Sequence, residues 1–318
     1  LNLFLAGEID LFGPRNLDDI GVINVAIQNQ DIDATVIEGY GGAGSSQFIV
    51  FNWNLESNPF LQNVFRNADF RRAMNHLVDR DTIIDLVYSG AAEPMHTGVY
   101  LPNDFWLDDS VTTYDFDPER ASELLARAGF SRRGGDGILV DAEGRRLSFR
   151  LATNAGNNQR EQIIQIFADT VRDVGVDVQT EPLDFSLLVD QLLSSGDDRP
   201  FEAMLIGLTG GNRVWPFGES VYACAGFLHG FNTSGSCITP QETLIDQLIK
   251  QGIRTLDTDA AREIGVEIQQ LEAEQAGTLF TVSPLLHVAW TNRVAGEHPL
   301  ELMGAFTGTR QLELTHIR

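Results

Sequence analysis

Leu147-Ser148-Phe149-Arg150-Leu151 and Ala203-Met204-Leu205-Ile206-Gly207 bound the stretch whose reading decides the fold. Both are short apolar runs of the kind that form strands. Between them Ile163, Ile164, Ile166, Phe167 and Val171 recur at helical spacing over about 159–174. Residues 176–181 then read as a strand and 185–194 as a second helix. The order is βαβαβ. Parallel strands need a long crossover, usually a helix, so this order predicts an α/β fold with a parallel or mixed sheet and helices packed on it.

Working outward toward the N-terminus, Ile138-Leu139-Val140 and the strand at 147 are joined through Asp141-Ala142-Glu143-Gly144 and read as a hairpin. Asp117-Pro118-Glu119 opens a helix: Asp as N-cap, Pro at the first helical position, an acid in the first turn. That helix runs through Ala121, Leu124, Leu125 and Ala128 and stops at Gly129. Residues 68–89 carry Phe70, Ala73, Met74, Leu77, Ile83, Ile84, Leu86 and Val87, a spacing that predicts two consecutive helices with Asp81 capping the second. Ala34–Glu38 and Gln47–Asn52 read as strands, and Gly41–Ser46 as the hairpin loop between them. This glycine run lacks the Lys-Ser/Thr of a phosphate-binding loop, and no helix follows it. Residues 16–28 read as a helix or turn pair. Leu1-Asn2-Leu3-Phe4-Leu5-Ala6 reads as the uncapped last turns of a helix entering a short strand, so the chain is expected to be truncated. Toward the C-terminus, 208–240 is loop-rich, 241–254 and 258–275 are helical, and 279–290 is a returning strand. No internal repeat is visible.

Composition excludes several functions. The formal net charge is -23, and Lys250 is the only lysine among 22 basic residues. Phosphate recognition needs clustered Lys and Arg, so no nucleic acid is expected as a partner, and an anionic membrane surface would repel the chain. No window approaches 18 consecutive apolar residues, so no membrane span is expected. The histidines, His76, His96, His229, His287, His298 and His316, form no metal-binding pattern. The nearest approach to a nucleophile elbow, Ser234-Gly235-Ser236, lacks the Gly-x-Ser-x-Gly pattern. The chain is therefore read as a binding protein rather than an enzyme, with no cofactor and no metal. Cys224 and Cys237 stand 13 positions apart in a Gly/Ser/Asn-rich stretch. In an exported protein they would close a loop with a disulfide contributing ~3 kcal/mol in the chain-entropy account. The alternative is two separate buried thiols.

Residues 207–232 are the most suggestive for binding, because ligands in open α/β sheets sit beyond the carboxyl ends of strands. Trp215, Phe217 and Phe231 supply apolar walls, and Thr209, Asn212 and Asn232 supply hydrogen bonds. The competing reading is a surface loop stapled by two cysteines, its aromatics tucked inward.

Four segments together resemble the family 5 extracellular solute-binding proteins of ABC importers. Phe51-Asn52-Trp53-Asn54 is similar to the family's Phe-Asn-x strand. Asn67-Ala68-Asp69-Phe70-Arg71-Arg72-Ala73-Met74-Asn75-His76-Leu77-Val78-Asp79-Arg80-Asp81 resembles its Val-Arg-Gln-Ala helix ending in Asp-Arg-(Asp/Glu). Tyr114–Phe130 is similar to its Tyr-Asp-Pro-Glu-Lys-Ala segment, and Leu5-Ala6-Gly7-Glu8-Ile9-Asp10 to its Gly-Glu-(Ile/Val)-Asp stretch. The matches fall in the family's order. The resemblance implies a periplasmic binding protein-like type II fold: two lobes on a hinge that close on a solute. It implies a complete C-terminal lobe over 50–280, with 1–49 and 281–318 as remnants of the first lobe. Strands 47–54 and 279–290 would be the hinge crossings. Implied partners are a small-molecule or peptide ligand and the permease subunits in the membrane, with the receptor itself a monomer. The implied location is periplasmic or extracellular, with a lipid anchor upstream as one arrangement. The candidate ligand-binding set is Asn52, Trp53, Thr209, Asn212, Trp215, Phe231 and Asn232. One departure stands out. Peptide-binding members carry an Asp after the strand corresponding to 203–207 that pairs with the peptide's amino terminus. Here Gly207-Leu208-Thr209-Gly210-Gly211-Asn212 offers no acid before Glu219. A neutral amide is no substitute for a carboxylate facing an ammonium, so a sugar, an opine or another polar solute stays open beside peptide. A sensory or scaffold domain derived from such a receptor is the alternative function, ahead of an α/β hydrolase.

Overall fold

The computed structural model describes residues 1–14, 17–39, 45–99, 104–208, 215–296 and 315–317. In chain order the elements are α1 (Asn2–Leu5), β1 (Leu11–Phe12), α2 (Leu17–Gln28), β2 (Ala34–Ile37), β3 (Phe48–Phe51), α3 (Pro59–Arg66), α4 (Ala68–His76), α5 (Arg80–Tyr88) and β4 (Ala92–Pro94). A 3-10 turn at Asp104–Trp106 precedes α6 (Pro118–Arg127), β5 (Arg132–Arg133), β6 (Leu139–Val140), β7 (Ser148–Asn154), α7 (Asn158–Asp173), β8 (Asp177–Leu183), α8 (Phe185–Leu193) and β9 (Ala203–Ile206). The remainder is α9 (Glu219–Tyr222), α10 (Pro240–Gly252), α11 (Thr258–Gln275), β10 (Thr278–Phe280), β11 (Val282–Pro284), β12 (Val288–Thr291), β13 (Val294–Gly296) and β14 (Thr315–Ile317). None of the helices among the described residues is long and apolar enough to cross a membrane.

The predicted βαβαβ unit is present as β7-α7-β8-α8-β9, in a mixed sheet of order β10-β3-β9-β7-β8. β7 runs parallel to β8 and β9, whereas β3 is antiparallel to β9 and β10. Burial follows position in the sheet. All four residues of β3 and of β9 are buried, as unbroken apolar strands covered on both faces must be. β8 lies at an edge, and only there does Pro182 cost no ladder hydrogen bond. The main core condenses around Phe51, Phe65, Phe70 and Phe149, whose rings pack at centroid distances of 5.1–6.2 Å.

The helices begin where short polar side chains can accept from their first free N–H groups. Asn67, Asp117, Asn157 and Asp257 each do so, an arrangement typically contributing ~1 kcal/mol per helix. The second helix of the 68–89 pair is capped by Asp79, which accepts from Thr82 N–H, while Asp81 sits inside the first turn. The cap therefore falls two residues earlier than expected.

Three strand expectations are corrected. The 138–151 hairpin is reduced to a single bridge between Val140 and Arg146, because β8 and β9 occupy both edges of β7; β6 pairs with β5 instead. β2 and β3 do not pair with each other: β2 joins β12 in a three-stranded sheet of order β1-β12-β2. The Gly41–Gly44 part of the expected loop lies outside the described residues. The single strand at 279–290 is three strands, because the chain leaves β3 after Phe280, pairs with β4 through Pro284, and then joins β1 and β2. At this passage Thr281 N–H donates to Gln47 O and Gln47 N–H to Val282 O, both at 2.9 Å, so the two segments linking the sheets run side by side.

Two smaller cores complete the molecule. Phe4, Ile23, Ala34 and Ala289 form one beneath the three-stranded sheet. The other lies between α10 and α11, where Ile245, Leu248, Ile249, Ile264 and Ile268 enclose Phe217 and Trp106.

Candidate functional site

A cavity of about 420 Å³ opens where the β3–β10 edge of the main sheet faces α10 and α11. Phe48 and Val50 of β3 and Thr278 and Phe280 of β10 form its floor. α10 contributes Glu242 and Ile245, and α11 contributes Glu272 and Gln275. The segment from Trp215 through Tyr222, with His229, Gly230 and Phe231, closes the remaining side.

The aromatic walls are held rigidly. Trp215 Nε1–H donates to Phe217 O at 2.8 Å, and its ring lies so close to Gly252 that a Cβ there would overlap it. The Tyr222 hydroxyl occupies the space that a side chain at Gly98 would need. Trp106, Trp215, Phe217 and Tyr222 form a run of edge-to-face contacts at 5.1–5.8 Å, a geometry favoured by ring quadrupoles. Cys224 and Cys237 are disulfide-bonded. The loop they close carries His229 and Phe231.

Two carboxylates face the cavity, in opposite circumstances. Glu242 stands at the third position of α10 and completes a capping box with Thr239. Its Oε1 accepts from Asn232 Nδ2 at 2.6 Å and lies 3.3 Å from His229 Nε2, whose ring also meets Val221 O through Nδ1 at 2.7 Å. Its Oε2 accepts from Ile238 and Thr239 N–H at 2.9 and 2.8 Å. Burial acts against its charge, but the neighbouring His229 ring and the hydrogen bonds from Asn232 and Ile238 outweigh burial and hold the carboxyl below its ordinary pKa. Among the described residues Glu272 has a single donor, Gly98 N–H at 3.2 Å. It lines the cavity with part of its surface accessible, and the protein around it pushes its pKa up to about 7. Among the described residues, no lysine or arginine lines the cavity.

Of the residues named from sequence, Trp215 and Phe231 come together on the cavity wall. Phe217 is wholly buried beneath Trp215. Trp53 is also wholly buried, its ring 4.4 Å from that of Phe231 on one side and 4.4 Å from the Arg71 guanidinium on the other, so it backs the wall from behind. Asn52 points into the interior, its amide donating to Arg199 O and Phe201 O. Asn232 has no exposed surface; it orders Glu242, Ser236 and Asn54 one layer behind the cavity. Thr209 and Asn212 lie outside the described residues. Sequence reasoning missed Glu272 and Gln275, although a signal existed. Ala261, Gly265, Ile268 and Gln269 form the buried stripe of α11, and Glu272 continues it at helical spacing, where an acid is out of place.

Comparison with known proteins places the chain. Residues 1–226 match the profile of the bacterial extracellular solute-binding proteins, family 5 Middle. A probable ABC transporter-binding protein of Deinococcus radiodurans is 36% identical over 99% of this chain and 55% of its own length. Among solved structures, the oligopeptide-binding protein AppA of Bacillus subtilis, in complex with a nonapeptide, superposes with a TM-score of 0.74 at 21% identity, covering 100% of this chain and 57% of AppA. The substrate-binding protein CtaP of Listeria monocytogenes gives 0.76 at 20% identity, over 99% of this chain and 57% of CtaP. These structures establish the type II periplasmic binding protein fold. The chain belongs to the family 5 extracellular solute-binding proteins, a family of transport receptors rather than enzymes. It spans about half the length of the relatives it matches.

Proposed function

We propose that this family 5 member is the substrate-binding component of an ABC importer, capturing a small solute outside the cytoplasm and handing it to a membrane permease. The observation that carries the reading is the partly open, largely apolar cavity with a few convergent polar groups, the usual make-up of a small-ligand site. In this reading Trp215 and Phe231 contact the ligand, while Asn52, Trp53 and Asn232 hold the wall in place. Thr209 and Asn212 are the remaining candidate contacts. Residues 50–280 form one ligand-binding lobe, and 1–49 with 281–318 belong to the other. The paired segments around Gln47 and Thr281 form the hinge. The receptor acts as a monomer in the periplasm or at the cell surface, where the Cys224–Cys237 disulfide is compatible with an oxidising setting. AppA was solved with a nonapeptide, and a peptide is the first solute to test here. The fit to peptide rests on the cavity's aromatic walls, with the acid absent from 207–212 supplied elsewhere.

The test is a thermal-shift screen of the complete gene product against peptides, oligosaccharides, opines and metal chelates. A genuine ligand at 100 times its Kd stabilises by about 2.7 kcal/mol and is recovered chemically unchanged. A ligand that is turned over would identify an enzyme, and a screen in which nothing binds would remove the receptor reading.

A further inference from the structure

We propose that the cavity selects ligands bearing a cationic nitrogen on an apolar body, and that Glu272 is the residue that receives the cation. The inference rests on the reading of this cavity as the ligand site. Of the two carboxylates on the wall, Glu242 is engaged by three donors from its own chain, with the His229 ring beside it. Glu272 is not. One backbone N–H is its sole hydrogen-bond donor, and no ion pair reaches it among the described residues.

Among the described residues the fold uses this acid only as the acceptor for Gly98 N–H, and the Glu272 side chain caps neither end of α11. The N-cap of α11 is Asp257, and the helix ends at Ala276 in the left-handed conformation. Glu272 stands in the last turn, where the negative end of the helix dipole disfavours a carboxylate. Enclosure by protein disfavours its charge as well, which is why its proton is retained up to about pH 7. An acid opposed by both dipole and burial, and without a cationic partner among the described residues, is a site suited to one. A ligand ammonium would supply the missing charge and the missing donors together. Tyr222, Phe231 and Trp215 on the same wall add aromatic surface that suits both a cation and the apolar body behind it. A neutral sugar would leave the carboxyl buried and unpaired, and an anion would meet it with like charge.

Titration calorimetry on the complete gene product tests this with trileucine amide (terminal ammonium), N-acetyl-trileucine amide (no cation) and N-acetyl-Leu-Lys-Leu amide (side-chain ammonium). Wild type is expected to bind at least one cationic probe ~10-fold or more tighter than the uncharged one, and which one identifies the source of the nitrogen. Glu272→Gln is expected to abolish that preference, and Glu272→Asp should retain part of it. A Gln variant that keeps the full preference overturns the role of Glu272. A wild type that favours the uncharged probe overturns cation selection yet leaves the receptor reading standing. Absence of binding by all three probes overturns the cation inference, while the separate solute screen decides the receptor reading.

Discussion

Glu242 and Glu272 share one cavity wall, yet their surroundings move them in opposite directions, and that contrast is decided atom by atom. Among the described residues three donors converge on the first, with the His229 ring beside them, and one on the second. For Glu272 the consequence is a pH-dependent penalty. Its folded pKa, about 7, lies above the ordinary 4.5. At pH 4 the carboxyl is largely protonated in both states and costs little. Between 4.5 and 7 the unfolded chain releases the proton while the folded chain keeps it, so stability falls as pH rises; above 7 the loss is constant, at roughly 3 kcal/mol at most. Glu272→Gln keeps an acceptor for Gly98 N–H and removes the charge. Urea unfolding of the ligand-free protein should find this variant more stable than wild type by about 1–3 kcal/mol at pH 8 and equal to it near pH 4. An equal gain at both pH values would mean that the carboxyl is not shielded from water. Gly252 makes a second residue-scale case. An alanine there gains up to about 1 kcal/mol of helix propensity, but its Cβ collides with the Trp215 ring. Overpacking typically costs 1–3 kcal/mol, so Gly252→Ala should destabilise on balance and shift tryptophan emission as the ring leaves the wall.

At the scale of elements, local chemistry was the most legible feature. Asp117-Pro118 at the start of α6, Gly129 just past its end and the βαβαβ order of 147–207 could all be read directly, because caps and hydrophobic periodicity act within a few residues. Pairing was not legible. Leu139–Val140 and Ser148–Asn154 have the composition of a hairpin, but β8 and β9 compete for β7 across a longer sequence distance and win both edges. The site was legible only in part for the same reason. Trp215 and Phe231 stand out by size, whereas Glu272 is one of 45 acids and becomes visible only once the buried stripe of α11 is aligned. Asn52 and Trp53 drew notice as a motif, and both lie buried behind the wall. The loop carrying His229 and Phe231 depends on its disulfide. Replacing Cys224 and Cys237 by serine should lower stability by ~3 kcal/mol in the chain-entropy account. It should weaken any ligand that contacts Phe231 more than one held by α11 alone, a difference calorimetry can resolve.

For the whole molecule, the excess of 45 acidic over 22 basic residues acts at longer range than any of these contacts. Several exposed pairs, such as Arg120–Glu123 and Lys250–Asp246, each contribute little, so the surplus negative charge dominates the surface field. The field repels nucleic acid and anionic lipid, but it attracts a cationic solute from a distance, and distance separates it from Glu272 in experiment. A field spread over the surface is screened within roughly 8–10 Å at 0.1–0.15 M salt, whereas an enclosed contact is screened far less. Stopped-flow measurements with a cationic probe between 0.02 and 0.5 M NaCl should therefore show the association rate falling several-fold while the dissociation rate stays nearly constant. Glu272→Gln should reverse the allocation, leaving the salt dependence of association almost intact, since one charge of the net -23 is removed, and raising the dissociation rate about tenfold. If the variant instead slowed association and left dissociation unchanged, Glu272 would be acting as one more member of the surface field rather than as the group that holds the ligand.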